Sequence, residues 1–196
     1  MNMSADPTVV RRLRREEVEA HAPELAALVL DAVADGASVG YMADVSVPQA
    51  EAWWRAAASA DDARAVLVAL DAQGIAGVAA VLPSGSAFQP HRAEIAKVIV
   101  HRRARGRGLA TALMCAAERE ALAMGRHALS LTTRRGSEAE HLYRKLGWMR
   151  VGLLPYDSLR PDGTPCDAAI YVKQFNPGPV APNLPSGGRF AGAKVS

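Results

Sequence analysis

The residue types best suited to binding a charged ligand lie where an apolar, β-branched run gives way to a basic turn at 102–108. Gly106 and Gly108 lack a Cβ, so the backbone there can approach a diphosphate closely and adopt dihedral angles that other residues avoid. A helical pattern begins at Leu109-Ala110, and the start of a helix presents unpaired N–H groups and a partial positive charge. The turn also carries arginines, whose planar guanidinium groups suit phosphate oxygens: Arg102, Arg103, Arg105 and Arg107. The turn is therefore predicted to bind a phosphorylated ligand.

Two common phosphate-binding patterns do not fit this turn. A P-loop needs Gly-Lys-Ser/Thr after four intervening residues, and Leu109-Ala110 stands at that place. A dinucleotide-binding fold needs three glycines early in a strand–helix–strand unit and an acidic residue about 20 positions later. The order here is Arg105-x-x-Gly108-x-Ala110, late in the chain and after a predicted strand.

A second motif follows the turn: a predicted strand at 128–132, then a helix carrying AEHLYRKLGW at 139–148. Arg105-x-x-Gly108-x-Ala110 after a Val-x-Val strand, followed by this helix, resembles the acyl-CoA pattern of the GNAT superfamily of N-acetyltransferases. A closer resemblance is to the tabtoxin-resistance acetyltransferases. It rests on four stretches: GASVGYMADV (36–45), RAEIAKVIV (92–100), RRGSEAEHLY (134–143) and PDGTPCDAAIYVKQF (161–175).

The resemblance implies that acetyl-CoA is the cosubstrate and that its thioester sulfur lies near Tyr143. In this family the strand before the turn splays from its neighbour and binds pantetheine through main-chain atoms. That role would fall to Val98, Ile99 and Val100. The start of the following helix also contacts the cofactor, and here Gly136-Ser137 replaces the common asparagine. Ser137 is suited as well to a helix N-cap that forms a capping box with Glu140.

Two side chains are candidates for proton transfer. A phenol is neutral at pH 7, with an ordinary pKa of roughly 10, so Tyr143 can donate a hydrogen bond or a proton to a departing thiolate. Glu94 lies on the strand that leads to the turn and can accept the ammonium proton through water, or hold the ammonium in place. Each also has a structural interpretation, Tyr143 as an aromatic residue that caps the core and Glu94 as a solvated strand carboxylate.

The resemblance assigns acceptor binding to the loop at 36–45 and to the end of the strand at 128–132. The candidates are Tyr41, Met42, Asp44 and Thr132. Asp44 can pair with an amino group, and Thr132 stands where tabtoxin-resistance relatives can carry an acid. Arg134 and Arg135 would attract a carboxylate-bearing acceptor or form a solvated charge pair at the start of the helix.

Composition narrows the class of protein. A chain of 196 residues that is 49% hydrophobic and 22% charged is long enough for one domain with a full core. No apolar run approaches the roughly 20 residues of a membrane span, and two cysteines favour a reducing cytoplasm over a disulfide framework. A net charge of +3 with 5% aromatic residues argues against nucleic acid as a partner. No His/Cys cluster has zinc spacing, so no metal is expected.

Hydrophobic periodicity predicts an α+β chain with one domain around a mixed sheet, and the resemblance implies that this domain, at 8–175, is GNAT-like. Its mixed, mostly antiparallel sheet has strands at 8–13, 63–70, 75–82, 92–100, 128–132, 149–154 and 167–173. Its helices lie at 16–34, 48–60, 108–124 and 137–146. Segments 1–7 and 176–196 lack periodicity and are expected to be disordered.

The resemblance, taken together with these patterns, implies an acetyl-CoA-dependent N-acetyltransferase, expected to be a monomer or homodimer, whose small-molecule amine attacks directly in a ternary complex. Direct attack is expected because no residue stands out as a covalent nucleophile. The resemblance points to an amino-acid-like acceptor or an antibiotic. Two alternatives are acetylation of a protein N-terminus or lysine, which needs an open acceptor cleft, and a non-catalytic acyl-CoA-binding regulatory domain.

Overall fold

The computed structural model describes residues 8–59 and 63–176. The segments predicted to be disordered, 1–7 and 176–196, lie outside the described residues except for Asn176. The described chain forms seven strands: β1 (Val9–Arg12), β2 (Ala65–Asp71), β3 (Gly74–Pro83), β4 (Arg92–Val100), β5 (Ala128–Arg134), β6 (Met149–Leu159) and β7 (Pro165–Gln174). Its α-helices are α1 (Arg15–Ala20), α2 (Ala22–Ala34), α3 (Val47–Ala57), α4 (Leu109–Ala123) and α5 (Glu138–Lys145), and a 3-10 turn spans Arg102–Ala104.

All seven strands belong to one sheet, in the order β1-β2-β3-β4-β5-β7-β6. Every neighbouring pair is antiparallel except β4 and β5, which run parallel. The predicted α+β domain with a mixed, mostly antiparallel sheet is confirmed. None of the helices within residues 8–59 and 63–176 has the length and apolar character that a membrane crossing requires.

Two apolar clusters cover opposite faces of the sheet, as the period of two in a strand requires. On β2, Val66 and Val68 pack with α1, α2 and α3 around Trp54. Leu67, one position between them, packs with α4 on the other face, where Leu113 is fully buried. The sheet is therefore the middle layer between two helical layers.

The sequence predicted one continuous helix at 16–34, and this prediction is wrong because the structure has two helices there. α1 ends at Ala20 and α2 begins at Ala22, with His21 between them. Pro23 lies in the first turn of α2. A proline has no N–H to donate, and its ring clashes with the carbonyl group of the residue four positions earlier, so the helix cannot run through it. The described chain consequently has five α-helices where four were predicted.

A bulge in β4 changes which face its side chains occupy. Val78 pairs with Ile99 and Ala80 pairs with Ala96, so two residues of β4, Lys97 and Val98, lie opposite one residue of β3. Lys97 has a φ of +53°, in the left-handed region that an L residue rarely adopts. A bulge of this kind bends the strand and re-aims its side chains.

β4 and β5 separate soon after they meet. Their pairing covers only Arg92 to Glu94 on β4, opposite Ala128 to Ser130 on β5. Beyond Glu94 the side of β4 that faces β5 has no strand partner, although both strands continue. The splay expected from the resemblance is present, and it leaves main-chain groups available between the two strands.

β6 is longer than predicted, because the strand continues past Pro155 to Leu159. The register shifts between Leu154 and Ser158, and Tyr156 in this bulge has a φ of +51°. β6 lies at the edge of the sheet, where a proline deprives no neighbouring strand of a hydrogen bond. The strand was predicted to end at Leu154, and Pro155 instead lies in a bulge within it.

Candidate active site

The glycine turn joins β4 to α4, and its geometry depends on backbone angles. Gly108 is the residue before α4 and has a φ of +76°, and Gly106 has a φ of +74°. A Cβ at either position would meet no atom within 4 Å, so available space does not require glycine there. The left-handed backbone conformation does favour glycine, because it costs an L residue about 1–2 kcal/mol. The two glycines shape the turn so that the N-terminus of α4 faces open space.

A cavity of about 640 Å³ lies between β4, this turn and α5, and we call it the turn cavity. Every predicted cofactor residue except Arg107 lines it: Val98, Ile99, Val100, Arg105, Gly106, Gly108, Leu109, Ala110 and Ser137. The splayed end of β4 and the first turn of α4 therefore border the same space. Main-chain N–H groups at a helix start beside a glycine turn form a suitable site for an anion.

The arginines of the turn are paired with aspartates. Arg102 bonds Asp31, and the Arg105 Nη1 atom lies 2.5 Å from Asp35 Oδ2. Asp71 accepts from both Arg103, at 2.7 Å, and Arg107, at 3.1 Å. The sequence suggested guanidinium groups directed at phosphates, whereas each of them also has a carboxylate partner. Main-chain N–H groups at the helix start are therefore better candidates than the arginines for binding an anion, and cofactor contacts by Arg105 and Arg107 stay predictions.

Tyr143 is fixed in the wall of the turn cavity. Only 6% of the residue is exposed, and its ring lies 5.8 Å from that of Tyr171 and 6.4 Å from that of Trp148, measured between centroids. Burial raises the pKa of Tyr143 to about 12, because the anionic phenolate would lose its hydration. The hydroxyl therefore keeps its proton at neutral pH and can act as a donor.

Glu140 anchors the helix that carries Tyr143. Its carboxylate accepts from the Tyr171 hydroxyl at 2.5 Å and from the main-chain N–H of Gly136 at 2.6 Å. These hydrogen bonds, that from Tyr171 above all, hold the pKa of Glu140 below its usual range. The predicted capping box with Ser137 is wrong, since the Ser137 side chain makes no cap bond and its hydroxyl instead lies 3.2 Å from the Thr133 hydroxyl.

A second cavity, of about 700 Å³, lies under residues 38–45, and we call it the loop cavity. The predicted acceptor residues all line it: Tyr41, Met42, Asp44 and Thr132. Arg134 lines both cavities, so it lies where they adjoin. Residues 36–40 separate the two cavities, because Ser38 and Gly40 line the loop cavity while Gly36, Ala37 and Val39 line the turn cavity. Within the described ranges, no three His, Cys, Asp or Glu side chains are placed to hold a metal ion.

Asp157 also lines the loop cavity, and it was not among the sequence candidates. It lies in the β6 bulge, beyond the point where the predicted strand ended. The available signal was the Pro155-Tyr156-Asp157 stretch, which is typical of a turn or a bulge. Sequence alone could not place that bulge beside the loop at 36–45.

Lys97, a residue that the sequence interpretation left out, connects the β4 bulge to the loop. Its Nζ atom donates to the carbonyl oxygen of Val39 at 2.6 Å and lies 4.7 Å from the centroid of the Tyr41 ring. Burial lowers the pKa of Lys97, and the nearby Glu94 carboxylate opposes that shift. The lysine fixes the segment that separates the two cavities, so its role is one of positioning.

Glu94 lies at the last paired position of β4 and β5, opposite Ser130. Its side chain remains exposed and is not in the wall of the loop cavity. Nearby protein atoms nevertheless remove part of its hydration and raise the pKa of its carboxyl group, while the Lys97 charge acts to lower it. The position suits an acid that reaches the splay through water, because Glu94 lies where the two strands begin to separate, although it is in neither cavity wall.

Comparison with known proteins finds one matching family model and solved structures with a similar fold. The model of the acetyltransferase (GNAT) family matches residues 12–148, which include the turn and the helix with Tyr143. Among solved structures, the ribosomal-protein-alanine N-acetyltransferase of Brucella melitensis is 25% identical, with a TM-score of 0.71. The alignment covers 85% of this chain and 99% of that one.

Two further structures were solved with acetyl-CoA. The Salmonella typhimurium protein yncA is 18% identical over 87% of this chain and 95% of its own, with a TM-score of 0.72. A phosphinothricin acetyltransferase of Sinorhizobium meliloti is 19% identical over 85% of this chain and 88% of its own, with a TM-score of 0.68. At these identities the two structures establish a shared fold.

Proposed function

Because the chain belongs to the acetyltransferase (GNAT) family, we propose that it transfers the acetyl group of acetyl-CoA to the amine of a small, amino-acid-like molecule. One observation carries the proposal. Two cavities of ligand size adjoin at Arg134, at the end of β5, one beside a glycine turn suited to an anion and the other beside two carboxylates.

The chemistry of the turn cavity fits acetyl-CoA. Main-chain N–H groups from Gly108 to Ala110 can bind the pyrophosphate, since they open α4 after a left-handed glycine. The unpaired side of β4 around Val98 and Val100 can hydrogen-bond the amides of the pantetheine arm. Solved structures of two proteins with this fold contain acetyl-CoA, which supports the assignment.

Acetyl-CoA supplies an activated thioester, and residues of this chain would accept and donate the protons. Glu94 accepts a proton from the ammonium group through water, which leaves a neutral amine able to form the new N–C bond. Main-chain N–H groups of β4 stabilise negative charge on the carbonyl oxygen. Tyr143 gives its proton to the sulfur as the C–S bond breaks, and the proton that the newly bonded nitrogen then loses restores the Tyr143 hydroxyl. Cys115 lines neither cavity, which favours direct attack over a covalent enzyme intermediate.

The loop cavity supports a small acceptor. Its volume of about 700 Å³ lies within the range of small-molecule sites, and residues 38–45 form one wall. Asp44 and Asp157 supply carboxylates for a cationic amine. The resemblance to tabtoxin-resistance enzymes and the shared fold of a phosphinothricin acetyltransferase both favour an amino-acid-like molecule. The Brucella relative is the basis for the alternative acceptor, a protein N-terminal alanine.

The test is release of free thiol from acetyl-CoA across a panel of amino acids, amino-acid antibiotics including tabtoxinine-β-lactam, and a peptide with N-terminal alanine. Release that depends on a small amine is the expected result. Release with the peptide alone would replace the small acceptor with a protein. Binding of acetyl-CoA without release by any acceptor would indicate a non-catalytic acyl-CoA-binding domain, and absence of binding would refute the assignment of the turn cavity.

Replacing Glu94 with glutamine is expected to lower kcat/KM roughly 100-fold and to remove the acid limb of its pH profile. A general base must be ionised, so the wild-type rate falls as pH drops through the pKa of Glu94. Desolvation raises that pKa, and the limb therefore lies above the usual carboxylate range. Glu16→Gln, on the exposed surface of α1, is the matched control. A Glu94→Gln profile that keeps the wild-type acid limb would show that another group is the base.

A further inference from the structure

The charged side chains near the two cavities fall into two groups. Those that support the glycine turn are paired, with Asp31, Asp35 and Asp71 each bonded to an arginine. Arg135 likewise lies 3.1 Å from Asp167. The side chain of Arg134 belongs to the second group, because it forms no ion pair or hydrogen bond with any residue that the structure describes.

Arg134 is half-buried, at the end of β5, in the walls of both cavities. It lies two positions after Thr132 and pairs across the ladder with Ala168, so the three side chains share one face of the sheet. Thr132 and Ala168 both line the loop cavity. The guanidinium is therefore on the acceptor side of the sheet. A half-buried charge without a partner is unfavourable, and an anion that reaches it gains a charge-assisted hydrogen bond.

Charges of the opposite sign lie in the same cavity. Asp44 and Asp157 line it, and neither forms an ion pair within residues 8–59 and 63–176. A cavity lined by unmatched charges of both signs is complementary to a ligand that carries both. An amine with a nearby carboxylate or a similar oxyanion is such a ligand.

We propose that Arg134 determines acceptor specificity by binding an anionic oxygen group beside the reacting amine, so that the substrates are zwitterionic. This inference rests on the proposed function. Arginine suits the role because its planar group can bind both oxygens of a carboxylate. A neutral amide in the same place would lose the charge and one acceptor.

The test compares each L-amino acid with its own carboxamide in the thiol-release assay, for wild type, Arg134→Gln and Arg135→Gln. Arg134→Gln is expected to reduce kcat/KM for the acids by roughly 10- to 100-fold. It should leave the carboxamides and the KM for acetyl-CoA within about twofold of wild type. Arg135→Gln removes the same charge one position away and is expected to keep the preference for acids. Arg134→Lys, which keeps the charge, is expected to retain part of the preference for acids.

Several results would overturn the inference. Equal use of acids and carboxamides by wild type would show that no anionic group is recognised. An equal loss for both in Arg134→Gln would indicate a structural role, and a raised KM for acetyl-CoA would assign Arg134 to the cosubstrate. If Arg134→Gln does not fold, the inference is tested by the wild-type preference for acids over carboxamides and by how much of that preference Arg134→Lys retains. Wild-type protein that binds acetyl-CoA and acetylates no member of any pair would refute the small-amine function itself, and the inference with it.

Discussion

Replacing Tyr143 with phenylalanine is expected to lower kcat roughly 100-fold while the KM for acetyl-CoA changes little. The substitution removes only the hydroxyl, so the ring still packs against Trp148 and Tyr171. Because burial raises the pKa of Tyr143 to about 12, the donor stays protonated throughout an ordinary assay. Wild-type kcat, measured by thiol release, should therefore show no decline between about pH 7 and 10 from ionisation of this group.

Tyr156→Phe is the matched control, since Tyr156 is 81% exposed on β6 and lines neither cavity. It is expected to have wild-type kinetics. A folded Tyr143→Phe protein with a kcat within about twofold of wild type would show that another group, or water, protonates the thiolate.

Replacing Gly108 with valine is expected to weaken acetyl-CoA binding roughly 100-fold or more, while thermal stability falls only modestly. The left-handed φ of +76° costs a residue with a Cβ about 1–2 kcal/mol. That Cβ would meet no protein atom within 4 Å, so the added bulk occupies the open space beside the helix start instead of the core. Phosphates would lose close approach to the main-chain donors. Calorimetric titration with CoA and a thermal melt measure the two effects separately.

The same substitution at the other end of α4 is the control. Gly125 has a φ of +73°, and a Cβ there would also meet no atom within 4 Å. Gly125→Val should therefore lose similar stability while binding CoA as wild type does. If Gly108→Val binds CoA with wild-type affinity, the turn is not the phosphate site.

Local patterns in the sequence predicted the parts of the fold that depend on local physics. The glycines of the turn were recognisable because a strand that stops where a helix begins needs residues that tolerate a left-handed backbone. Alternation along β4 gave its bounds, Arg92–Val100, as the structure has them. Pro23 was visible too, yet its apolar neighbours kept the helical period, and the interruption at His21 was missed.

The features that the sequence did not predict depend on contacts between distant parts of the chain. The pairing of Arg105 with Asp35, and of Arg103 with Asp71, joins residues that no spacing rule connects. Lys97 was missed because strict alternation assumes an uninterrupted pleat, and the bulge shifts its side chain to the other face. Asp157 enters the loop cavity only because the edge strand continues through Pro155.

The ion pairs around the glycine turn have a consequence for the entropy of binding. Arg105 attaches the turn to Asp35 after α2, and Arg103 and Arg107 attach it to Asp71 at the end of β2. A glycine-rich segment would otherwise sample many backbone conformations, and ordering it would oppose association. Here the fold itself restricts that freedom before any ligand arrives. The turn is preorganised, and more of the interaction free energy with the phosphates is available as affinity.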